Sequence, residues 1–472
     1  MDAPLYDSKP WLQFYDPGVP QDVTVPDQTL SQAFDEACAR YASKTALIFY
    51  GRKISYSALA ADVARCANAL KRHGLEKGDR VALYLLNSPQ FIISYFAILR
   101  LGGIVTPVSP VYTSSEFRKQ IENSGARFAI CQDILYDKVA KSGAALDRVI
   151  VTAVADYLPP MKKLFSSGPL ARLLPGAAGA QSAIPVSERV HRFSELLAVE
   201  SSEPPAPADI DPAVDLAVLP YTGGTTGNPK GVMLTHRNLI AAQVQGKALS
   251  YVYREGEETL LAFLPFFHIY GQVVIMLGGL VDGHRLVLFT TTDTESILQA
   301  VEDYRVTVFF GVPTLYEYLR DHKDTGKVNW KRLKLILCGA DTLHKSTVEG
   351  WKQRTGTQII EGYGLSESTA ASHINPLQRP KLGSFGVPLP GMLAAVADPE
   401  SDAFLPAGEI GELLISGPNI MQGYWQNEAE TRQALVEVGG HRWLRTGDMV
   451  KMDEEGYFYY VDRRKDLIKH KG

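Results

Sequence analysis

The sequence has few cysteines, no long apolar run and no excess of positive charge. The four cysteines among 472 residues (Cys38, Cys66, Cys131, Cys338) form no CxxC pair, which argues against a structural metal and favours a reduced, cytoplasmic location. The formal net charge is −4, so no overall positive field favours binding to nucleic acid. With 45% hydrophobic and 21% charged residues, the chain has the composition of a globular protein with a sizeable core.

No segment has the features of a membrane span or a secretory leader. The most apolar window, FIISYFAIL at 91–99, ends at Arg100, well short of the roughly 20 residues that a bilayer span needs. The N-terminal stretch has no basic region followed by an apolar core, so no signal peptide is predicted. Segment 158–176 combines leucines and Phe165 with three basic residues. That pattern allows weak contact with a membrane surface, but three charges are few and it is more typical of a solvated loop.

Strand-like and helix-like patterns alternate through most of the chain. Runs 81–86, 104–108, 127–131 and 148–154 are typical of buried strands, and 57–74 carries apolar residues at helical spacing. After a stretch rich in proline and small residues, a second round brings further apolar runs, at 216–220, 285–289, 306–312 and 333–339. Alternation of this kind predicts parallel sheets covered by helices.

The pattern changes from Gly383, where short strands and turn residues replace the helices. We therefore predict an α/β protein with two doubly wound lobes, over 1–200 and 213–380, and a small β-barrel subdomain over 381–461.

A glycine-rich stretch, YTGGTTGNPKGV at 221–232, has the composition of a phosphate-binding loop. Glycines let backbone amides approach an anion, and threonine hydroxyls and a lysine add donors. It is not the P-loop of nucleotide hydrolases, because Pro229 precedes Lys230 and a helix is expected only near Thr235. A flexible surface loop is the alternative interpretation, but the position directly after an apolar strand favours a phosphate site.

Two further motifs carry polar groups suited to a nucleotide. EGYGLSES (361–368) follows the strand-like TQII and offers an aromatic face (Tyr363), a tight turn (Gly364) and a carboxylate (Glu367). TGD at 446–448 places Asp448 after a glycine. Taken singly, Tyr363 is better explained as a core residue, Glu367 as a solvated side chain and Asp448 as a turn former.

Together and in this order, the motifs resemble those of the adenylate-forming superfamily, which includes acyl-CoA synthetases, luciferase-like enzymes and peptide-synthetase adenylation domains. The resemblance runs from about Leu30 to the last residue. Its motifs are YTGGTTGNPKGV, LPFFHIYG (264–271), CGADTL (338–343), EGYGLSES, GELLISGPNIMQGYW (411–425), RTGD (445–448) and DRRKDLIK (462–469). It implies an enzyme in which a substrate carboxylate attacks the α-phosphate of ATP, pyrophosphate leaves, and the acyl-adenylate passes to coenzyme A.

The resemblance also implies roles for individual residues and a need for ATP, Mg²⁺ and coenzyme A. The catalytic residues it implies are Lys230, Ser366, Glu367 and Lys469. The implied ligands of Mg²⁺ are Glu367 and Thr226, because a hard ion prefers oxygen. The residues implied to bind ATP or AMP are Thr222, Gly223, Gly224, Thr225, Thr226, Gly227, Gly339, Ala340, Asp341, Glu361, Gly362, Tyr363, Gly364, Ser366, Asp448 and Arg463.

The position of the acyl pocket and of a hinge follow from the same resemblance. The implied acyl-binding residues are His268, Gly271, Gln272, Val273, Gly311 and Ala340. For His268, a satisfied core histidine is the alternative to a positioning role. Residues 462–472 are implied to be a hinge with Asp462 and Lys465 at the pivot, and we expect a mobile C-terminal domain to follow in a longer protein. The lysine that assists adenylation is expected in that domain.

The apolar FFHIYGQVVIM stretch lacks the aspartate that holds an amino-acid substrate in peptide synthetases. The segments at 109–126 and 158–176 resemble those of fatty-acyl-CoA synthetases, which predicts a medium- or long-chain fatty acid and a role in lipid metabolism. Ala340 and Asp341 depart from a glycine-rich version of their motif, so a cyclic or aromatic acid is an alternative. A ligase to a carrier protein and a luciferase-like oxidase are the others.

Overall fold

The computed structural model describes residues 8–160, 184–222, 229–290 and 293–464. Its packing divides the chain into two compact units. The first unit comprises the described parts of Asp27–Arg237 and Glu255–Asp293. The second unit comprises the described parts of Met1–Pro26, Asn238–Arg254 and Thr294–Gly472.

The α-helices of the described residues follow the apolar periodicity of the sequence. They are α1 (Leu30–Arg40), α2 (Tyr56–Arg72), α3 (Pro89–Arg100), α4 (Ser114–Ser124), α5 (Tyr136–Ser142), α6 (Phe193–Ala198), α7 (His236–Leu249), α8 (Gly278–Val281), α9 (Thr294–Asp303), α10 (Pro313–Asp321), α11 (Lys345–Thr355) and α12 (Glu428–Ala434). Short 3₁₀ turns lie at Pro10–Phe14, Asp133–Leu135, Val154–Tyr157, Thr325–Lys327, Trp330–Arg332 and Ser366–Ser368, and a π-helix spans Gly271–Leu277.

Helix α2 confirms the pattern at 57–74. Its N-cap, Ser55, accepts a hydrogen bond from the Ala58 backbone N–H, as serine does at this position. The most apolar window of the sequence forms α3, every residue of which is buried. Among the described residues, none of the helices combines the length and the apolar character that a bilayer crossing requires.

The strands of the first unit form two sets. They are β1 (Thr45–Phe49), β2 (Arg52–Ser55), β3 (Arg80–Tyr84), β4 (Ile104–Pro107), β5 (Phe128–Gln132), β6 (Arg148–Thr152), β7 (Val190–Arg192), β8 (Leu216–Val218), β9 (Tyr221–Thr222), β10 (Lys230–Thr235), β11 (Thr259–Ala262) and β12 (Arg285–Leu288). One set runs β10-β8-β4-β3-β5-β6-β7 and is parallel from β8 to β7. The other runs β11-β12-β1-β2, with only β2 antiparallel.

The second unit contains a parallel sheet and a curled antiparallel sheet. Its strands are β13 (Val308–Gly311), β14 (Leu335–Cys338), β15 (Ile360–Tyr363), β16 (His373–Ile374), β17 (Val387–Pro388), β18 (Leu393–Ala397), β19 (Ile410–Ser416), β20 (Gly423–Tyr424), β21 (Leu435–Val438), β22 (His441–Met452) and β23 (Phe458–Arg463). Strands β13, β14 and β15 are parallel, and β16 and β17 extend them antiparallel. Strands β18-β19-β22-β21, with β23 on β22, form a half-barrel. The predicted α/β class with a small barrel is confirmed, whereas the predicted domain boundaries stay predictions.

Candidate active site

The buried carboxylate of Asp448, in the second unit, contacts Tyr363 and Arg463. The sequence analysis assigned all three residues to the binding of ATP or AMP. Asp448 on β22 lies directly opposite Arg463 on β23, and Arg463 Nε is 3.3 Å from its Oδ1. The Tyr363 hydroxyl donates to Asp448 Oδ2 over 2.6 Å. Burial raises the pKa of the Asp448 carboxyl, and both partners oppose that rise because they stabilise the charged form. Asp448, Tyr363 and Arg463 therefore form one polar cluster, as residues that bind one small molecule must.

The ring of Tyr363 is fixed by aromatic neighbours as well as by its hydroxyl. The Phe385 ring lies 4.6 Å from it, tilted by 31°, and the His373 ring meets it edge-on at 6.0 Å. His373 is fully buried and its burial lowers the imidazole pKa to about 3, so the ring packs as a neutral group. The hydroxyl bond and the two neighbouring rings together fix the orientation of the Tyr363 ring.

Glu367 sits in a turn that the motif at 411–425 supports. The Tyr424 hydroxyl donates to Glu367 Oε1 over 2.8 Å, and the Met421 backbone N–H donates to the Glu367 carbonyl. The fully buried Asn419 side chain donates to the carbonyls of Ser368 and Ala371, at 2.8 and 2.9 Å. These two hydrogen bonds hold the turn in place. Two motifs about fifty positions apart in the sequence thus build one structure.

The residues around Glu367 fit a magnesium–nucleotide complex better than a protein-only metal site. In the described parts of the chain, no three His, Cys, Asp or Glu side chains come together as a metal cluster would require. Tyr424 occupies only Oε1 of Glu367, and Oε2 has no hydrogen-bond partner among the described residues. Mg²⁺ is commonly bound through one or two carboxylates plus substrate phosphates. Glu367 is a half-buried carboxylate of that kind, with Ser366 beside it on the same 3₁₀ turn.

The CGADTL segment follows β14 and has a strained backbone. Ala340 has φ +75°, a left-handed conformation that costs a non-glycine residue of order 1 kcal/mol. Ala340 and Asp341 are exposed, and the Asp341 carboxylate accepts from the Thr342 N–H over 2.7 Å. Gly339 donates its N–H to the carbonyl of Gly311, which joins the ends of β14 and β13. At Gly311 a Cβ would come within 2.8 Å of the Tyr316 ring, so close packing explains that glycine.

Glu361 and Gly362 belong to β15 but differ in their surroundings from Tyr363. The backbone N–H groups of Leu343 and Gly383 act to lower the pKa of the Glu361 carboxyl, against the larger effect of burial. Glu361 lines a cavity of about 240 Å³ together with Val348, Lys352 and Leu382. Burial raises the pKa of Glu361 to about 7. A Cβ on Gly362 would lie 3.2 Å from a backbone oxygen of β16, so this glycine serves strand pairing.

Replacing Glu361 by glutamine is expected to stabilise the protein at pH 8 and to change little at pH 5. The folded-state pKa is about 7 against an ordinary value of 4.5, so the folded protein becomes less stable as pH rises between these values. Glutamine keeps the size of the side chain and a carbonyl oxygen but carries no charge. The gain should reach up to about 3 kcal/mol above pH 8, measured by urea unfolding across the pH range.

Glu349→Gln is the matched control, because Glu349 lies on the same cavity with 61% of its side chain exposed. It should show no such pH-dependent gain. An equal gain for Glu361→Gln at pH 5 and pH 8 would contradict the assignment of the raised pKa.

In the first unit, the strands on either side of the predicted phosphate loop pair with each other. Lys230 lies opposite Thr222, and Gly231 opposite Tyr221. The Tyr221 hydroxyl donates to Asn123 Oδ1 over 2.7 Å. A Cβ on Gly231 would lie 3.1 Å from the Leu219 and Tyr221 side chains, so this glycine is needed for packing. The pairing brings Thr222 and Lys230, both implied phosphate ligands, side by side.

The LPFFHIYG segment of the first unit is held by a buried asparagine that the sequence analysis missed. Asn87 Nδ2 donates to the carbonyls of Ala262 and Leu264, and Asn87 Oδ1 accepts from the Phe266 N–H over 2.8 Å. Gln272 Nε2 adds a bond to the Phe266 carbonyl over 3.0 Å. The asparagine stands in NSPQ, immediately before the N-cap serine of α3, and its pairing with residues about 180 positions later leaves no local sequence signal.

The acyl-binding residues predicted in this segment have distinct environments. His268 keeps an exposed face, yet crowding by the protein lowers its pKa, and its Nδ1 accepts from the Tyr270 N–H at 3.2 Å. Gly271 is required sterically, because a Cβ would lie 2.5 Å from the Pro265 carbonyl oxygen. Gln272 and Val273 are buried in the π-helix, an element that is frequent at functional sites.

Several predicted residues lie outside the described ranges. They are Gly223, Gly224, Thr225, Thr226, Gly227, Lys465 and Lys469. Asp462 is described, on β23, where its Oδ1 accepts from the Arg463 N–H.

Comparisons with known proteins place this geometry in context. A family model described as "AMP-binding enzyme" matches residues 34–425. A long-chain-fatty-acid–CoA ligase of Bacillus subtilis (strain 168) is 36% identical over 469 residues, covering 98% of this chain and 82% of that protein. A ligase of the same name from Escherichia coli O6:H1 is 34% identical over 481 residues, with 98% and 81% covered.

Solved structures agree with the fold. The crystal structure of a long-chain-fatty-acid-CoA ligase from Archaeoglobus fulgidus superposes with a TM-score of 0.79 at 25% identity, covering 97% of this chain and 89% of that one. ATP-bound MatB from Rhodopseudomonas palustris gives a TM-score of 0.76 at 29% identity, with 93% and 80% covered. With a family model matched over most of its length and relatives above 30% identity along nearly all of it, the chain belongs to the AMP-binding enzyme family, whose members include AMP-forming acid–CoA ligases.

Proposed function

We propose that the protein is an ATP-dependent fatty-acid–CoA ligase that forms an acyl-adenylate and releases AMP and pyrophosphate. The single observation that carries the proposal is the buried cluster of Asp448, Tyr363 and Arg463. A carboxylate 3% exposed is costly to keep unless a ligand or partner uses it. Here one tyrosine and one arginine orient the carboxylate, which can accept hydrogen bonds from the two ribose hydroxyls of AMP, while the Tyr363 ring stacks on adenine.

The remaining groups supply what adenylation requires. The attacking carboxylate belongs to the substrate, so the protein must position it and neutralise phosphate charge, and it needs no nucleophile of its own. Glu367 holds the Mg²⁺ that accompanies ATP, and this ion, when bound, offsets negative charge on the phosphate oxygens. Lys230, which lies opposite Thr222 on the paired strands, serves the phosphates. Ser366 donates to the α-phosphate.

His268 acts in this proposal as a positioning group and not as a proton-transfer base. Its pKa is lowered and its Nδ1 already accepts a backbone hydrogen bond. The ring is therefore neutral near pH 7, and the Nδ1 lone pair that a base would use already accepts the Tyr270 N–H. Its exposed face can contact the acid where the acyl chain meets the carboxylate.

The substrate is proposed to be a long-chain fatty acid. FFHIYGQVVIM is apolar apart from His268 and Gln272, and Gln272 turns its amide to the Phe266 carbonyl. The segment therefore offers a hydrocarbon chain mostly apolar contacts. Relatives that share about a third of their residues along almost the whole chain are named long-chain-fatty-acid–CoA ligases. We include in the proposal a small C-terminal domain that carries the remaining catalytic lysine; this chain spans 82% of the Bacillus subtilis relative.

The test is to incubate the protein, expressed from its complete reading frame, with ATP, Mg²⁺ and a panel of acids. The panel contains octanoate, palmitate, oleate, cyclohexanecarboxylate and benzoate, each with and without CoA, and mass spectrometry detects acyl-AMP and acyl-CoA. We expect acyl-AMP with palmitate and oleate, converted to acyl-CoA when CoA is added. Turnover best with benzoate would overturn the fatty-acid assignment. Adenylate that CoA cannot consume would overturn the ligase assignment, and no adenylate with any acid would overturn the whole proposal.

A further inference from the structure

We propose that Glu412, outside the nucleotide cluster itself, is the positioning residue that fixes the two ribose-binding side chains, Asp448 and Arg463. The inference rests on the proposed function, and it adds a residue to which no role has been assigned. Glu412 lies on β19 of the half-barrel and its side chain is 3% exposed. Its hydrogen-bond partners include the residue before Asp448 and the residue after Arg463, which a role in barrel stability alone would not require.

Both oxygens of Glu412 accept hydrogen bonds. Oε1 accepts from the Gly447 backbone N–H over 3.0 Å. Oε2 accepts from Arg445 Nη2 over 2.7 Å and from Arg464 Nη1 over 2.9 Å. Charge-assisted hydrogen bonds of this kind are roughly twice as strong as neutral ones, and they fix direction as well as distance.

Two of the partners of Glu412, Gly447 and Arg464, are chain neighbours of ribose-binding residues. Gly447 directly precedes Asp448 and has φ +75°, a conformation that sets the path of the backbone into Asp448. Arg464 directly follows Arg463. The Glu412 carboxylate therefore restrains, one residue away in each case, the two side chains that meet at 3.3 Å.

A second acceptor makes the arrangement rigid. The Pro399 carbonyl accepts from Arg445 Nη2 at 2.9 Å and from Arg464 Nη2 at 2.8 Å. Both guanidinium groups are thus tied at two points, one on Glu412 and one on Pro399. Asp402 also pairs with Arg445, at 2.9 Å, but it is 32% exposed and touches neither Gly447 nor Arg464 in the described structure.

Glu412→Gln tests the role with little change in volume. An amide has only one oxygen, so its NH₂ group must face either the Gly447 N–H or the guanidinium groups, and two donors then oppose each other. The backbone leading into Asp448 or the position of Arg464 must shift. A displacement of well under 1 Å in a positioning group is enough to lower catalytic efficiency severalfold.

The readout is the discrimination between ATP and its 2′-deoxy and 3′-deoxy analogues, measured as kcat/KM for pyrophosphate release. In the parent enzyme, removing a ribose hydroxyl lowers kcat/KM because Asp448 loses a partner. In Glu412→Gln we expect kcat/KM for ATP to fall about tenfold and the ATP/deoxy-ATP ratio to shrink at least about threefold. Asp448→Asn should shrink the same ratio, and adding Glu412→Gln to it should shrink the ratio no further.

Asp402→Asn is the control, because it removes a partner of Arg445 without touching Glu412, and it should keep the parent ratio. If Glu412→Gln does not fold, Arg464→Met removes one partner only and must shrink the ratio by itself. An unchanged ratio in the variant used overturns the positioning role, even where activity falls. Failure of the proposed function would instead appear as absence of adenylate in the parent enzyme.

Discussion

Replacing Glu367 by glutamine is expected to lower the rate of acyl-adenylate formation about 10²-fold at about 5 mM Mg²⁺. That loss corresponds to a rise of several kcal/mol in the activation barrier. The amide keeps an oxygen for the Tyr424 hydroxyl, so the turn at 365–371 stays in place. The substitution removes the negative charge that is proposed to hold Mg²⁺ beside the phosphates. The measurement is pyrophosphate release at saturating ATP and fatty acid over a titration of Mg²⁺, where the variant should require more Mg²⁺ for half-maximal rate.

Two controls separate charge from orientation. Tyr424→Phe keeps the Glu367 charge but frees the carboxylate to rotate, and should cost only about tenfold or less. Glu428→Gln, in which the carboxylate is 85% exposed and pairs with Arg432 on α12, should leave the rate unchanged. Activity of Glu367→Gln within threefold of the parent at every Mg²⁺ concentration would remove Glu367 from the proposed metal role.

Strand–helix alternation predicted most of the fold because buried parallel strands are short, apolar and regularly spaced. The run at 148–154 became β6 and the run at 333–339 became β14, with ends shifted by one or two residues. The order of the strands within each sheet could not be predicted from this alternation. Nothing local in 104–108 says that β4 lies between β3 and β8, because that neighbourhood depends on contacts between residues far apart in sequence.

The residues of the candidate site are of two kinds. Some stand in recognisable sequence motifs, and others have no local sequence signal of their role. Tyr363, Asp448 and Arg463 stand in motifs, and the structure brings the three together. Asn419 and Glu412 were quoted only as letters of a motif. Their importance follows from what they contact, at Ser368 and Gly447 respectively, and such contacts are invisible until the chain is folded. Sequence reasoning therefore finds groups that touch a ligand more readily than groups that hold them.

The glycine of the EGYG motif has a different structural reason from the one that the sequence suggested. The sequence analysis gave Gly364 to a tight turn, which would favour a positive φ. The residues that adopt positive φ here are Thr369 and Ala370, at 51° and 84°. Gly364 is instead required because the backbone of Ala370–Ala371 passes directly over it, and a Cβ would lie 2.0 Å from the Ala370 carbonyl oxygen.

Gly364→Ala is accordingly expected to destabilise the protein by more than about 4 kcal/mol, or to prevent its accumulation as folded protein. The obstacle is the backbone of Ala370 and Ala371, which cannot rotate away as a long side chain can. Two other glycines of the second unit calibrate the effect by urea unfolding. Gly383→Ala meets no atom within 4 Å but has φ +80°, so it should cost about 1 kcal/mol from conformation alone. Gly246→Ala, in open space on α7, should be neutral or stabilising by up to about 1 kcal/mol. If Gly364→Ala cost no more than Gly383→Ala, the turn that carries Glu367 would be freer to move than its bonds to Asn419 and Met421 imply. The Glu367 carboxylate would then have no fixed position. The predicted dependence on magnesium rests on that fixed position.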